Sequence, residues 1–478
     1  MRKIYFLLFS IMLTITSCQV NKATVSSIKP SLKGIWRMQG YGQLLVISDT
    51  AIAYYDITQK SCLPVKSIPF SELSKLGEVK KVTQDSLLLK NSITEYQLLR
   101  LQLLPDLCAS QDRIRDKNPI YNFEVFWQTF KENYAFFKER NIDWDKIYSD
   151  SQSKISNTTT DIELASYIKG IIAKLNDGHT TFNGLEIAPE SDANTTADET
   201  TATKVDRKDL REAILKKIAP DFKSAGRDIY GNGLVNWAIT KENIGYLQVN
   251  WMIFYADFGI PETATTDEFV AKYFEESEAI PSPQEKELAA FRKIMAQVVA
   301  DFKNVKGVIL DVRLNGGGYD AISLELLRHF VTEKTLAFTK KAILPNGSFT
   351  KKQELYLLPS PPEERLAQPL IILTSPNTAS AAEILSISSM AMKNVRRIGS
   401  NTEGIFSDVL NKKLPNGWEF SLSNQVYGNF EGKNFENIGI PPTTAVEYPK
   451  GDFFYLFLSS SLSKGDEAME KALEELRQ

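Results

Sequence analysis

The chain has 478 residues, 43% of them hydrophobic and 24% charged, a globular composition in a chain too long for one core. Its formal net charge of -3 gives no strongly basic face of the kind a nucleic-acid partner needs, so no nucleic acid is expected. Three cysteines without metal-site spacing and two histidines leave little material for a metal cluster, and no cofactor is called for.

Arg2 and Lys3 precede the apolar run IYFLLFSIMLTIT, which is too short for a comfortable membrane span and reads as a signal peptide over 1–17. A small residue before Cys18, at the end of such a run, resembles a bacterial lipoprotein processing site. Cys18 is therefore expected to carry a lipid anchor to the cell envelope, with the periplasmic face of the outer membrane as the default place. Residues 18–30 are polar and aperiodic and read as a tether. From 31 to 110, short alternating runs between polar turns predict a small β domain. Cys62 and Cys108 flank it; in an exported protein they either pair or remain two buried thiols.

A helical period then begins. Phe123, Phe126, Trp127, Phe130, Tyr134 and Phe137 recur at three- and four-residue steps, the core face of a helical subdomain over 118–186. It ends in KLNDGHTTF, which holds His179. Residues 187–235 read as a polar insert or linker, and AIPSPQEKE as a second break. Over 236–450, continuous apolar strands such as VKGVILDVR and QPLIILTSP alternate with helices, which predicts an α/β core whose sheet is covered on both faces. Residues 451–478 read as a C-terminal helix.

Three stretches carry candidate chemistry. In LTSPNTASAAEIL, Asn377 or Thr378 can cap a helix, which leaves Ser380 in the first turn beside the Ala381 amide. Unpaired amides and the helix dipole there favour a nucleophile's developing charge; the bland alternative is that Ser380 is only a second cap. After Asp311 and Arg313, the residues Gly316, Gly317 and Gly318 can turn backbone amides toward an anion. The G-x-G-x-x-G and Walker patterns are not met, so an oxyanion site is the better reading and a tight turn the alternative. His179 is the available general base, because His329 sits among leucines and reads as packing.

LNDGHTTF, ILDVRLNGGG and LTSPNTASAAEIL, in that order and followed by GSNTEG and FENIGIPPTTAVEY, resemble the C-terminal (tail-specific) processing peptidase family over about 122–448. The resemblance implies a serine peptidase with a crotonase- or ClpP-like α/β core and a helical subdomain, acting on peptide or unfolded protein. One design in the family keeps a lysine after the last glycine of G-x-x-T-x-G, where this chain has Ile405 after Gly404. The tricorn-core branch instead implies Ser380 as nucleophile, His179 as base, Glu436 as the histidine's orienting glutamate, and Ala381 with Gly317 or Gly318 as oxyanion donors. Gly178 departs from that branch, which has a relay serine there; Thr180 or a water is the candidate substitute. No PDZ domain is evident. The same core also serves binding proteins, so a weakly active or inactive binder of peptide or apolar ligand is the alternative.

Overall fold

The computed structural model describes residues 31–109, 115–185, 207–219, 221–227 and 233–477. The signal peptide, Cys18, the tether and most of the polar insert lie outside the described residues.

Seven strands come first: β1 (Gly34–Met38), β2 (Gln43–Ile47), β3 (Ala51–Ile57), β4 (Cys62–Pro69), β5 (Glu78–Val82), β6 (Ser86–Asn91) and β7 (Thr94–Leu101). They form one antiparallel sheet in the order β4-β3-β2-β1-β7-β6-β5. Alternation buries Trp36, Leu45, Leu87 and Leu98, the two-residue period a half-buried sheet requires. Cys108 in the short helix α1 (Asp106–Ala109) is bonded to Cys62 at the start of β4, so the cysteines pair.

Helices α2 (Pro119–Asn133), α3 (Trp144–Gln152) and α4 (Asp161–Leu175) build the helical subdomain. Local chemistry sets their ends. Asn118 caps α2 with Pro119 as its first residue, and Thr160 and Glu163 form a capping box on α4. Asn176, left-handed at φ 49°, stops α4 three residues before His179. The predicted aromatic face is core: Phe126 and Phe130 pack on Trp144 and on Phe420 of the following domain.

The remaining elements are β8 (Phe182–Asn183), α5 (Arg207–Ile218), β9 (Lys223–Ala225), β10 (Val235–Ile239), β11 (Gly245–Val249), α6 (Thr266–Ala279), α7 (Pro283–Asp301), β12 (Val308–Asp311), α8 (Asp320–Leu327), β13 (Thr335–Ala342), β14 (Gln353–Leu357), β15 (Leu370–Thr374), α9 (Ala381–Ser389), β16 (Val395–Gly399), β17 (Val409–Lys413), β18 (Glu419–Ser423), β19 (Gln425–Asn429), β20 (Thr444–Ala445), α10 (Asp452–Leu462) and α11 (Glu467–Arg477). The main sheet runs β20-β16-β15-β12-β11-β10-β9, parallel from β11 to β20 with two antiparallel strands at one edge. Successive residues of its central strands serve opposite cores. Leu310 and Ile372 pack with α7, α8 and α9, while Ile309 and Ile371 pack with α5, α10 and α11. Burial on both faces is why these strands read as unbroken apolar runs.

Three expectations change. The described part of 187–235 is not only linker: α5 and β9 form there, and Leu210, Ile214 and Leu215 are buried in the core. AIPSPQEKE is not a break throughout: Pro283 opens α7, and Glu287 is a buried residue within it. The C-terminal segment is two helices, parted near Gly465 at φ 140°.

Candidate active site

Strands β12 and β15 are parallel neighbours, and the glycine loop and Ser380 both follow their carboxyl ends. That is where open α/β sheets place ligands. Ser380 is the residue before α9, with φ 52° and ψ -123°. Such a conformation costs of order 1–3 kcal/mol for a non-glycine residue and persists only where the surroundings impose it. Ser380 caps nothing with its side chain. Asn377 and Thr378 do not cap α9 either; Thr378 Oγ1 instead accepts from the Ser375 amide (3.0 Å) and donates to the Val312 carbonyl (2.9 Å), bracing the approach to Ser380.

The glycine loop lies against this turn. A Cβ on Gly317 would stand 2.6 Å from the Ser380 Cβ, and Gly317 has φ 110°, so only glycine fits. The Gly317 amide, one of the two expected loop donors, is already committed to Asn315 Oδ1 at 2.9 Å. No hydrogen bond among the described residues takes up the amides of Gly318 or Ala381. The free pair is therefore Gly318 with Ala381. Asn315 also donates to Val249 O (3.0 Å), and its carbonyl accepts from the Ala379 amide (3.1 Å), so one buried side chain and its backbone tie loop, sheet and serine turn together.

His179 is fixed through its backbone. Asp177 Oδ1 accepts from the His179 amide at 3.0 Å, an Asx turn, and Ser421 Oγ donates to the His179 carbonyl at 2.7 Å. Burial lowers the imidazole pKa below 6.5, while Asp177, Asp408 and the Ser407 backbone pull it back up. Nδ1 is buried without a hydrogen-bond partner among the described residues. Thr180 does not serve it, because its hydroxyl donates to the Asp177 carbonyl at 2.7 Å.

The expected contact from Glu436 to His179 is not formed. Arg140 Nη2 donates to Glu436 Oε1 (2.7 Å), and the Phe406 amide donates to Oε2 (3.0 Å). Burial and the neighbouring Asp177 push the Glu436 carboxyl up to about 8. A single guanidinium thus faces two buried acids, Glu436 and Asp177, the second also held by the Tyr134 hydroxyl at 2.9 Å. Glu436 acts on the segment beside the histidine, not on the ring.

That segment, 402–407, has a second buried anchor that motif reading missed. Glu383, on the first turn of α9, accepts from Thr402 Oγ1 (2.5 Å) and from the amides of Gly404 and Ile405 (2.7 Å each). Burial pushes its carboxyl up to about 7 against those three donors. The signal in the sequence was its place, three residues after Ser380. Arg140 lies in ordinary helical-subdomain sequence with no comparable signal.

Ser380, Gly318, Ser407 and Asp408 line one cleft of about 610 Å³, and Tyr41, Thr94 and Tyr96 of the β domain form its far wall. His179 is not among the lining residues; its ring interacts with the Ser407 backbone and with the Asp408 charge, both of residues that are. In the wall, Tyr427 Oη lies 3.0 Å from Asp320 and 3.1 Å from Asp408, and the buried Lys340 Nζ reaches Tyr427 (3.1 Å) and Thr94 (2.6 Å). Burial and Asp408 push the Asp320 carboxyl up to about 7. Asp311 and Arg313 stay out of the cleft chemistry: Arg313 is fully buried between Asp311 and Asp466 and serves packing.

The family model for peptidase family S41 matches residues 275–446, and that for the tricorn protease C1 domain matches 116–173. The carboxy-terminal processing protease CtpA of Bacillus subtilis is 24% identical over 357 residues, which cover 69% of this chain and 73% of the relative. A carboxyl-terminal-processing protease of Synechocystis is 26% identical over 145 residues, 30% of this chain and 31% of the relative. Among solved structures, a candidate peptidase of Parabacteroides merdae superposes with a TM-score of 0.53 at 23% identity, over 76% of this chain and 97% of the other. That last likeness is one of fold.

Proposed function

We propose, from the premise that this chain belongs to peptidase family S41 and is a serine-type peptidase, that Ser380 is its nucleophile and His179 its base. The observation that carries the assignment is the strained Ser380, without a capping bond, between the unclaimed amides of Gly318 and Ala381. A hydroxyl at a helix start with two free donors beside it suits a reaction that builds negative charge on a carbonyl oxygen.

In this reading a peptide enters the cleft between the β domain and the α/β core. His179, kept neutral by burial, takes the Ser380 proton as the hydroxyl attacks the carbonyl. Gly318 and Ala381 hold the oxyanion, a contact worth about 3–4 kcal/mol per donor. His179 then gives the proton to the leaving amine, and water releases the acyl group from Ser380. No hydrogen bond joins Ser380 and His179 among the described residues, and His179 Nδ1 has no partner there; in this reading the contact forms when substrate fills the cleft, since catalytic bonds are often loose or unformed without it. Glu436 and Glu383 take part by fixing the segment against which the ring rests.

The strand order and the helices after β12 and β15 support a crotonase- or ClpP-like description of the core. The substrate class is peptide or unfolded protein, on the strength of the carboxy-terminal processing relatives. The sequence features around Cys18 support a lipid anchor at the cell envelope, on the periplasmic face of the outer membrane. Ser380→Ala is expected to abolish hydrolysis of an unfolded protein such as reduced casein while leaving the melting transition in place. Continued cleavage by that variant would remove Ser380 from the mechanism.

A further inference from the structure

A carboxylate on α7 holds the backbone that holds Gly318. Glu287 lies in the first half of α7 and is 1% exposed. Its two oxygens accept from three consecutive amides: Phe254 (3.2 Å, Oε1), Tyr255 (2.7 Å, Oε2) and Ala256 (3.2 Å, Oε2). Three amides aimed at one side chain fix the conformation of the loop after β11. Phe254 there has φ 79°, a region that a bulky residue enters only under constraint. Edge-to-face contacts with Phe269 and Tyr273 supply the rest of that constraint.

The same loop grips the glycine turn. The Met252 amide donates to the Gly317 carbonyl (2.7 Å), and the Met252 carbonyl accepts from the Tyr319 amide (2.8 Å). Gly318 lies between these two bonds, at φ 140°, where a Cβ would meet the Met252 carbonyl carbon at 2.4 Å. Met252 thus clips the residues on both sides of Gly318 and leaves the Gly318 amide unclaimed.

We propose that Glu287 is a positioning residue for the oxyanion amide of Gly318, acting through the 252–256 loop and the Met252 clip. It touches no reacting atom. The inference rests on the reading of Gly318 as an oxyanion donor, and it extends that reading to a helix outside every motif.

The test uses the full chain carrying Glu287→Gln, assayed at pH 8, above the value of about 7 to which burial pushes this carboxyl. Glutamine keeps the shape but turns an amide donor toward amide donors. Rates are expressed per serine titrated by a fluorophosphonate, so loss of folded protein alone does not lower them. The expected result is a fall in kcat of about 10- to 100-fold with little change in KM, less than the roughly 100- to 1000-fold of deleting a donor outright. An unchanged kcat per titrated serine would overturn the inference. Hydrogen exchange in the Ser380→Ala background supplies a readout without chemistry. Glu287→Gln should speed exchange in both 252–256 and 317–319. Faster exchange in 252–256 alone would mean that Glu287 holds only its own loop. Failure of Ser380 itself to react in the wild type would instead sink the assignment of the nucleophile, and the exchange result would still stand or fall separately.

Discussion

Gly178 and Ile405 account for each other. A Cβ on Gly178 would stand 2.5 Å from Ile405 Cδ1, so the place of the relay serine is filled by the residue that follows Gly404. His179 therefore receives no side-chain bond from its neighbour in sequence, and none from Glu436. What fixes it is backbone: Asp177 on its amide, Ser421 on its carbonyl, and the wall at Ser407 beside its ring. The pH dependence follows from its surroundings. The base must be neutral, burial lowers its pKa, and the charges of Asp177 and Asp408 oppose that more than Arg140 assists it. The net direction is downward from 6.5. So kcat/KM should fall only as pH drops through a value below 6.5, with more than half of the activity kept at 6.5. His179→Ala should lower kcat by about 100- to 10,000-fold and abolish that acid limb. A limb that persists in the variant would belong to another group.

At the scale of elements, the cores of the strands and helices were legible because burial on two faces or one leaves a period in the sequence. VKGVILDVR became β12 and QPLIILTSP became β15, and the aromatic stripe from Phe123 became α2. What the sequence hid were contacts between elements. Nothing local says that Arg140 meets Glu436, 296 residues away, or that Glu287 bonds a loop 31 to 33 residues before it. Polar anchors of this kind have no period, and AIPSPQEKE looked like a break because its Pro and Ser mark a helix start. Asp311 and Arg313 were likewise visible but not assignable. Arg313 makes a two-toothed bond to Asp466 (2.9 and 2.8 Å), which pins the start of α11 under the sheet. Burial alone would raise the Asp466 carboxyl, yet Arg313 holds it below its usual value. Its stabilisation is therefore present above the unfolded value and is lost as pH falls through the lower folded one. Asp466→Ala leaves a fully buried guanidinium with one carboxylate instead of two, and should cost about 3–5 kcal/mol in urea unfolding at pH 7. A loss below about 1 kcal/mol would mean that Asp311 and Tyr448 satisfy Arg313 unaided.

Across the whole molecule, the β domain is part of the cleft. Lys412 Nζ from β17 reaches Asp56 (2.5 Å) and the carbonyls of Tyr41 and Gly42, and Asn424 donates to the Gly40 carbonyl (2.7 Å). These bonds seat the β1–β2 turn at the cleft that Tyr41 and Ser380 both line. The proposed site thus draws on three regions of the chain: the helical subdomain would supply His179, the core Ser380 and the amides, and the β domain lines the cleft that holds Ser380. In the proposed mechanism this enclosure activates one serine. The most direct measurement is reaction of the folded full-length protein with a fluorophosphonate, followed by peptide mapping. One adduct is expected, on Ser380, absent in Ser380→Ala and formed far more slowly in His179→Ala. A folded protein that takes no label, or takes it on another serine, would contradict that mechanism.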